Sequence, residues 1–410
     1  MGYFKDTLKG ILWIGTLRSS SRAVGYIKIA ILARLLGPEQ FGIFGIASIL
    51  LAFLEIMTET GISAFMIQQE DDIKRYLDTS WTLSILRGLF ISILLFLLAK
   101  PISLFFKSPD SYLLICLISI IPLIKGFINP SIVKFQKDLF FNKEFYFRLF
   151  LLFVDATVAI YLAIVLRNAF AFVMGMAASS VFELIISLLL IKPKPSFIFN
   201  LNKVKFILKR SKWITLSGIL NYFIQEGDDV VVGKLISIYS LGLYQVAYKI
   251  STLPLTEAGE VIYKVTFPVF VKIRGDLKRL RTAFIKTFIV LTIILLPFGI
   301  ILFFFTKPVI YLFLGSKWLS IIPVIKILII YGIGRAITGL YSPLFLSLKK
   351  QKYNSYILLV SLFGMLVSIF PLVKIYGIVG AGISVLLGWC MSLPLTTILI
   401  YKVLRDNKTN

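Results

Sequence analysis

The sequence predicts an all-α membrane protein with about twelve transmembrane helices, arranged as two halves of six helices each. Hydrophobic residues make up 58% of the 410 residues, and the mean hydropathy is +0.91, whereas a soluble domain is roughly half apolar. Residues 287–305 and 376–401 contain no charged side chain. Each run reaches the roughly 20 residues that cross a bilayer as a helix, which places the chain in the membrane.

Twelve apolar segments are long enough to cross the bilayer, so both ends of the chain lie on the same side. The predicted spans lie near residues 11–35, 42–66, 80–99, 111–132, 146–166, 169–191, 213–235, 241–263, 287–305, 321–347, 355–373 and 376–401. Residues 1–10 lack the short apolar core and small-residue cleavage site of a signal peptide. We therefore expect them to remain as a cytoplasmic start.

The distribution of Lys and Arg orients these spans. With both ends in the cytoplasm, 27 of the 44 basic residues fall in cytoplasmic connections and six in outer ones. Cytoplasmic loops are enriched in basic residues, so the count favours a cell (inner, cytoplasmic) membrane protein with cytoplasmic termini. The net charge of +24 then needs no nucleic acid partner, because basic loops attract the headgroups of anionic membrane lipids.

The composition also excludes several chemistries. The chain contains no histidine, and Cys116 and Cys390 lie inside apolar runs. Histidine is the commonest general base and a frequent metal ligand. The predicted outer connections, roughly 3 to 15 residues long, are those of simple linkers. We therefore expect no enzyme, no metal site and no cofactor.

A basic connection at residues 192–212 divides the chain into predicted bundles at 1–200 and 201–410. Its apolar residues interleave with Lys, which predicts a helix lying on the inner membrane surface. At an offset of 200 the halves align Trp13 with Trp213, Ile14 with Ile214, Leu35 with Leu235, Gly42 with Gly242 and Ala47 with Ala247. Because six spans return the chain to the same side, this pattern predicts a parallel repeat, an arrangement in which transporters hold substrate between the halves.

Two phrases carry a family resemblance. The segment ARLLGPEQFGIFGIASIL (33–50) ends one predicted span and starts the next, and QEGDDVVVGKLISIYSLGLYQVAYKIS (225–251) does so in the second half. Nearly the whole chain resembles the polysaccharide biosynthesis (Wzx-type) flippases of the multidrug/oligosaccharidyl-lipid/polysaccharide (MOP) exporter superfamily. Many members of that superfamily have fourteen spans, whereas twelve are predicted for this chain.

The resemblance implies a MATE-like fold, in which two six-helix bundles form a V around a cavity that opens alternately to either face. It also implies the cargo, a polyprenyl-pyrophosphate-linked oligosaccharide. This cargo is turned from the cytoplasmic to the outer leaflet for surface polysaccharide, such as O-antigen of lipopolysaccharide, capsule or exopolysaccharide. The expected protein partners are a polysaccharide polymerase and a chain-length regulator.

Basic residues inside the first span are the first candidate site. A charge at the centre of a span is costly and usually faces a water-filled cavity or a partner. Arg18 and Arg22 are four residues apart and share one helix face, and Arg binds phosphate oxygens in bidentate fashion. We assign Arg18, Arg22 and Lys28 to the cavity, as ligands of pyrophosphate or sugar. The alternative is that Arg18 pairs with Glu55 or Glu59 while Lys28 reaches solvent.

Polar and acidic residues on the second, seventh and eighth spans complete the predicted site. The polar residues assigned to the cavity are Asn221, Gln225 and Lys249. The residues assigned as counter-ions, or as groups that couple transport to H⁺ or Na⁺, are Glu55, Glu59, Glu226, Asp228, Asp229, Glu257 and Glu260. A purely structural pairing of these charges is the open alternative.

The two halves differ in their balance of charge inside the spans. The N-terminal half has seven cations and four acids there, and the C-terminal half has four cations and five acids. We hypothesise that the first bundle attracts the pyrophosphate, while the second meets sugar hydroxyls or takes up a proton or sodium ion. An ion-coupled multidrug (MATE-type) antiporter is the alternative function, although such a transporter of organic cations would favour acidic and aromatic residues over arginine. A major facilitator sugar porter is disfavoured, because its Gly- and Arg-rich connection between spans two and three is absent.

Overall fold

The computed structural model describes residues 2–59, 66, 74–138, 140–198, 200, 218–219 and 221–405, with residues 2–15, 17, 18 and 75 described by their backbone alone. In this part the chain is helical and contains no strand. Nine segments in it are long and apolar enough to cross a membrane, so the chain is a multi-pass membrane protein. They are Pro38–Met57, Tyr76–Phe105, Pro109–Gly126, Phe141–Leu166, Phe170–Leu190, Leu277–Phe304, Ser316–Ser347, Lys352–Tyr376 and Ile378–Arg405.

The chain forms two compact units, Met1–Tyr222 and Phe223–Asn410, here called unit 1 and unit 2. The helices of unit 1 are α1 (Gly2–Leu35), α2 (Pro38–Met57), α3 (Lys74–Phe105), α4 (Pro109–Ile118), α5 (Ile120–Gly126), α6 (Lys134–Lys137), α7 (Phe141–Leu166) and α8 (Phe170–Leu190), with a 3₁₀ turn at Pro130–Val133. In unit 1, α7 packs along α8 and α1, while α3 packs on α4 and α5. The predicted bundle boundary between residues 200 and 201 stays a prediction.

Asn129 is fully buried and fixes the chain where α8 ends. Its Nδ2 donates to the backbone oxygens of Ser187, Ile191 and Pro193 at 3.1–3.3 Å. Residues 191–198 are not helical, which corrects the start of the surface helix predicted for residues 192–212. Pro193 and Pro195 lack the N–H that a helix interior needs, and most of the remaining connection lies outside the described residues.

Unit 2 begins within α9 (221–235). It continues with α10 (Ile238–Ile273), α11 (Leu277–Phe304), α12 (Thr306–Phe313), a 3₁₀ turn at Ser316–Ile321, α13 (Ile322–Thr338), α14 (Tyr341–Ser347), α15 (Lys352–Tyr376) and α16 (Ile378–Arg405). Here α15 packs along α16, and α10 and α11 pack on α13. The α15–α16 contact requires Gly388, because a Cβ there would lie 2.5 Å from the Ser361 backbone oxygen.

The helices follow most of the predicted spans but differ at several ends. The predicted span 111–132 breaks at Ser119 between α4 and α5, and span 321–347 is divided between α13 and α14. The predicted connection 264–286 is helical except at 274–276. The breaks at 36–37 and 236–237 are 200 residues apart, as the proposed repeat requires, while the repeat and the twelve-span count stay predictions.

The surfaces of both units expose large apolar side chains. Leu190 on α8 is 76% exposed and Phe304 on α11 is 75% exposed, among many others. Exposing a side chain of this kind to water forgoes about 1.5–3 kcal/mol of burial free energy. In the membrane these side chains contact lipid tails, so lipid is the natural environment of these faces.

Candidate functional site

The first part of the site is the basic stripe of α1. Arg22 has an exposed side chain, and the side chain of Arg18 lies outside the described part. Lys28 forms an ion pair with Asp155 of α7, since its Nζ lies 2.7 Å from both carboxylate oxygens. The two side chains are only 15% and 20% exposed. Lys28 therefore ties α1 to α7 rather than reaching solvent, and its predicted role toward cargo stays a prediction.

Two acids at the end of α2 bind cations from neighbouring helices. Lys125 of α5 lies 3.3 Å from Glu55, and Arg87 of α3 lies 3.7 Å from Glu59. Arg87 also donates to the backbone oxygen of Glu55 at 2.6 Å and to the Thr58 hydroxyl at 3.1 Å. Because the carboxyl end of a helix carries partial negative charge, Arg87 also stabilises the end of α2. Glu55 and Glu59 each lie beside a cation, and their predicted role as counter-ions or coupling groups stays a prediction.

A further ion pair joins α7 to α8. The Arg148 Nη1 atom lies 2.8 Å from the Glu183 carboxylate. Together with the pairs of Lys28, Arg87 and Lys125, this gives unit 1 four membrane-embedded cations that each have a carboxylate partner. Such pairs lower the cost of placing charge in an apolar environment.

Unit 2 contains an acidic cluster with neutral hydrogen-bond partners. Asp228 and Asp229 on α9 are 1% and 7% exposed. The Tyr244 hydroxyl donates to Asp228 at 2.6 Å, and the Gln245 amide donates to Asp229 at 2.7 Å. Both partners come from α10, so the next helix in the chain covers the two acids.

Glu226 and Lys249 extend this cluster. The Glu226 carboxyl lies near that of Asp229, and the Lys249 cation is close enough to attract both carboxyl groups. The structure thus brings Glu226, Asp228, Asp229 and Lys249 together in one charged cluster, and its predicted role in ion coupling stays a prediction.

Four other predicted site residues lie on the same two helices, α9 and α10. Asn221 and Gln225 lie on α9, half-buried and exposed respectively. Glu257 on α10 is half-buried, and Glu260 is exposed. Glu260 lines a cavity inside unit 2 and is the one predicted site residue among the described residues that does so.

This cavity lies among α10, α13, α14, α15 and α16 and has a volume of about 340 Å³. Aromatic rings of Tyr263, Tyr341 and Trp389 line it together with Arg335. The guanidinium Nη1 of Arg335 donates to the hydroxyls of Tyr248 and Tyr331, both at 3.1 Å. The cavity therefore combines one cation with several aromatic faces.

Arg335 is not among the site residues predicted from the sequence. Tyr331 could have been found, because it precedes Arg335 by four residues and side chains at that spacing meet on a helix. Tyr248 and Trp389 come from α10 and α16. No sequence spacing indicates that these helices bring them to Arg335.

Comparisons with known proteins agree with this architecture. A family model described as "Polysaccharide biosynthesis protein" matches residues 31–323. The lipopolysaccharide biosynthesis protein WzxC of Escherichia coli K12 is 24% identical over 413 aligned positions, covering 98% of this chain and 82% of that protein. The predicted family resemblance is confirmed.

Solved structures show the same fold. Lipid II flippase MurJ in an inward closed conformation has a TM-score of 0.76 at 15% identity, over 96% of this chain and 89% of its own. An inward-facing multidrug resistance MATE family transporter of the MOP superfamily has a TM-score of 0.70 at 14% identity, over 95% of this chain and 96% of its own. The predicted MATE-like, all-helical fold class is confirmed.

Proposed function

Since this chain belongs to the polysaccharide biosynthesis protein family, we propose that it flips polyprenyl-pyrophosphate-linked oligosaccharides from the cytoplasmic to the outer leaflet by alternating access. The observation that carries this proposal is the family match over residues 31–323, supported by an alignment of 98% of the chain with a lipopolysaccharide biosynthesis protein. The oligosaccharides would serve a surface polysaccharide such as O-antigen, capsule or exopolysaccharide. The chain acts as a transporter and not as an enzyme.

The energetics of this cargo call for a polar path through the membrane. Each unpaired polar group in hydrocarbon costs several kcal/mol, and an oligosaccharide pyrophosphate carries many. Charged and hydroxyl side chains within the helices replace the water that the cargo loses. The polyprenyl tail can stay in lipid throughout, because it is apolar.

We assign the pyrophosphate to Arg18 and Arg22 of α1. The exposed position of Arg22 supports this role, and bidentate Arg contacts suit phosphate oxygens. Lys28 then acts through its ion pair with Asp155, which holds α1 against α7. Coupling to H⁺ or Na⁺ falls to the cluster of Glu226, Asp228, Asp229 and Lys249, with support from the burial of its two aspartates.

The proposed setting follows from the same function. The chain lies in the cell (inner) membrane with both termini in the cytoplasm and forms two six-helix bundles, residues 1–200 and 201–410. A polysaccharide polymerase and a chain-length regulator then use the flipped units. The excess of basic residues in the predicted cytoplasmic connections supports this orientation.

The test is the sidedness of lipid-linked oligosaccharide in cells that lack this gene. We expect accumulation on the cytoplasmic face that the wild type relieves and that Arg18→Gln with Arg22→Gln does not. Arg34→Gln is the matched control, because Arg34 lies on the same helix near its end and is exposed. If the double variant restores normal sidedness as well as the wild type does, the pyrophosphate assignment is wrong.

An ion-coupled multidrug antiporter remains the second candidate. The likeness to a MATE transporter, with a TM-score of 0.70, and the acidic cluster of unit 2 favour it. The same deletion cells distinguish the two functions. New sensitivity to cationic drugs without oligosaccharide accumulation would favour the antiporter.

A further inference from the structure

We propose that the cavity inside unit 2 binds a sugar residue that carries a carboxylate, with Arg335 as the ligand of that carboxylate. The inference deepens the proposed function and rests on it for the statement that this sugar is part of the cargo. Such a site would bind acidic oligosaccharides in preference to neutral ones.

The first observation is that Arg335 has no carboxylate partner in the described part of the chain. Its hydrogen bonds there go from Nη1 to the hydroxyls of Tyr248 and Tyr331, and its guanidinium also lies 5.8 Å from the Tyr331 ring centroid. A guanidinium has five N–H donors. The donors on Nε and Nη2 meet no acceptor among the described residues, so one edge of the group is available to a ligand.

The free edge has the geometry of an oxyanion site. Nε and Nη2 form a planar fork that binds the two oxygens of a carboxylate or phosphate side by side. A charge within a membrane-spanning segment is costly without a counter-ion, and the four paired cations of unit 1 show how this chain otherwise meets that cost. A bound anion would be the counter-ion of Arg335, as Asp155 is the counter-ion of Lys28.

The rest of the cavity suits a sugar ring. Aromatic rings cover apolar C–H faces of a ligand, and hydroxyl side chains hydrogen-bond its polar edge. The hydroxyl groups that line the cavity include those of Thr256, Ser342, Ser361 and Ser392. The volume of about 340 Å³ lies within the usual range for small-molecule pockets.

The aromatic wall is held in a fixed position. The Trp389 indole donates from Nε1 to the Thr338 hydroxyl at 3.1 Å. Gly334 makes room for this indole, since a Cβ at that position would overlap the ring atoms. A pre-positioned ring binds a ligand with less loss of side-chain freedom than a mobile one.

A carboxylate and the pyrophosphate of the carrier lipid share oxyanion chemistry, and the surroundings favour the carboxylate. The cavity offers one Arg, and Glu260 also lines it, so a group with several negative charges would be repelled. A single carboxylate on a sugar matches one guanidinium.

The test measures binding to purified full-length protein in nanodiscs by titration calorimetry. The probes are a glucuronate-containing disaccharide, the same disaccharide with its carboxyl reduced to an alcohol, and farnesyl pyrophosphate. We expect the wild type to bind the acidic disaccharide roughly tenfold or more tightly than the reduced one, as for a charge-assisted bidentate contact. Arg335→Gln should remove that preference and leave farnesyl pyrophosphate binding unchanged.

Two control variants sharpen the result. Lys326→Gln changes a cation on the same helix that lies over the Phe303 ring, and it should keep the preference. Arg335→Lys keeps the charge without the planar fork and should lose most of it. Equal wild-type affinity for the acidic and reduced disaccharides, a comparison that needs no variant, would overturn the proposal.

The other outcomes separate this inference from the proposed function. If Arg335→Gln weakens farnesyl pyrophosphate binding and leaves the acidic preference intact, the cavity serves the carrier lipid and the proposal is wrong. An Arg335-dependent acidic preference in a protein that moves no lipid-linked oligosaccharide would support the site and reject the flippase. If the protein flips acidic and neutral cargo alike and binds the two disaccharides equally, the carboxylate site is wrong and the flippase function stands.

Discussion

The two units hold their membrane-embedded charges in different ways. In unit 1, Lys28, Arg87, Lys125 and Arg148 each have a carboxylate partner elsewhere in the chain, on or just beyond another helix. In unit 2, Asp228 and Asp229 accept hydrogen bonds from a tyrosine hydroxyl and a glutamine amide, and Arg335 donates to two tyrosine hydroxyls. The Lys249 cation also lies near Asp229. A neutral partner satisfies a hydrogen bond but leaves the charge in place.

This difference indicates a division of roles. An ion pair neutralises both members and ties two helices together, and it is strongly destabilising to break when it is buried. A charge with neutral partners remains able to attract an ion of opposite sign. We therefore infer that the ion pairs of unit 1 hold its helices together, and that the charged groups of unit 2 meet ions or cargo.

The largest expected effect on stability comes from breaking the most buried pair of unit 1. Asp155→Asn keeps the size of the side chain but leaves Lys28 without its counter-ion, and both side chains are at most 20% exposed. We expect a loss of about 2–4 kcal/mol, measured as a lower free energy of unfolding in detergent micelles.

The matched control removes both charges at this site. Lys28→Met with Asp155→Asn should be more stable than Asp155→Asn alone, because no unpaired charge remains. A double variant that is less stable than the single one would show that the pair does not couple α1 to α7 electrostatically.

A smaller effect is expected from removing a neutral partner in unit 2. Tyr244→Phe deletes the hydroxyl that donates to the buried Asp228 at 2.6 Å. A hydrogen bond to a charged group contributes about 1.5–3 kcal/mol, so the free energy of unfolding should fall by that amount. Tyr239→Phe on the same helix is the control, since Tyr239 is 46% exposed, and it should change little; equal losses in the two variants would refute the buried contact.

The smallest effect is expected at the exposed pair of unit 1. Lys125 and Glu55 are 40% and 34% exposed, with 3.3 Å between their charged atoms. Exposed ion pairs contribute about 0.2–1 kcal/mol. Glu55→Gln should therefore lower the free energy of unfolding by about 1 kcal/mol at most. If Glu55→Gln lowers the free energy of unfolding as much as Asp155→Asn does, the exposure of an ion pair does not determine its contribution to stability in unit 1.

Much of the helical framework could be predicted from hydropathy, and the exceptions have physical causes. The α7 and α8 helices lie within a few residues of their predicted spans, because long apolar runs are bounded there by turn residues. The basic residues at 264–286 predict a connection there, whereas the ends of α10 and α11 occupy most of it. Lys and Arg are also good helix formers, and the helices extend beyond the apolar runs.

The candidate site was predictable along single helices and not across them. The grouping of Glu226, Asp228 and Asp229 follows from their spacing on α9. The Lys28–Asp155 pair joins residues 127 positions apart, and the Trp389 and Tyr248 side chains reach the surroundings of Arg335 from two other helices. Such contacts depend on how the helices pack, which the sequence pattern of one chain does not specify.

The proposed flipping is tested most directly by transfer of a polyprenyl-pyrophosphate oligosaccharide across the membrane of proteoliposomes that contain only this protein. Cargo enters one leaflet, proton and sodium gradients are imposed in turn, and a membrane-impermeant lectin measures cargo in the other leaflet. We predict a rate of transfer well above that of protein-free vesicles. Arg18→Gln with Arg22→Gln should reduce this rate, and Arg34→Gln should retain it. Transfer no faster than in protein-free vesicles under either gradient, from folded wild-type protein, would contradict the proposed flipping.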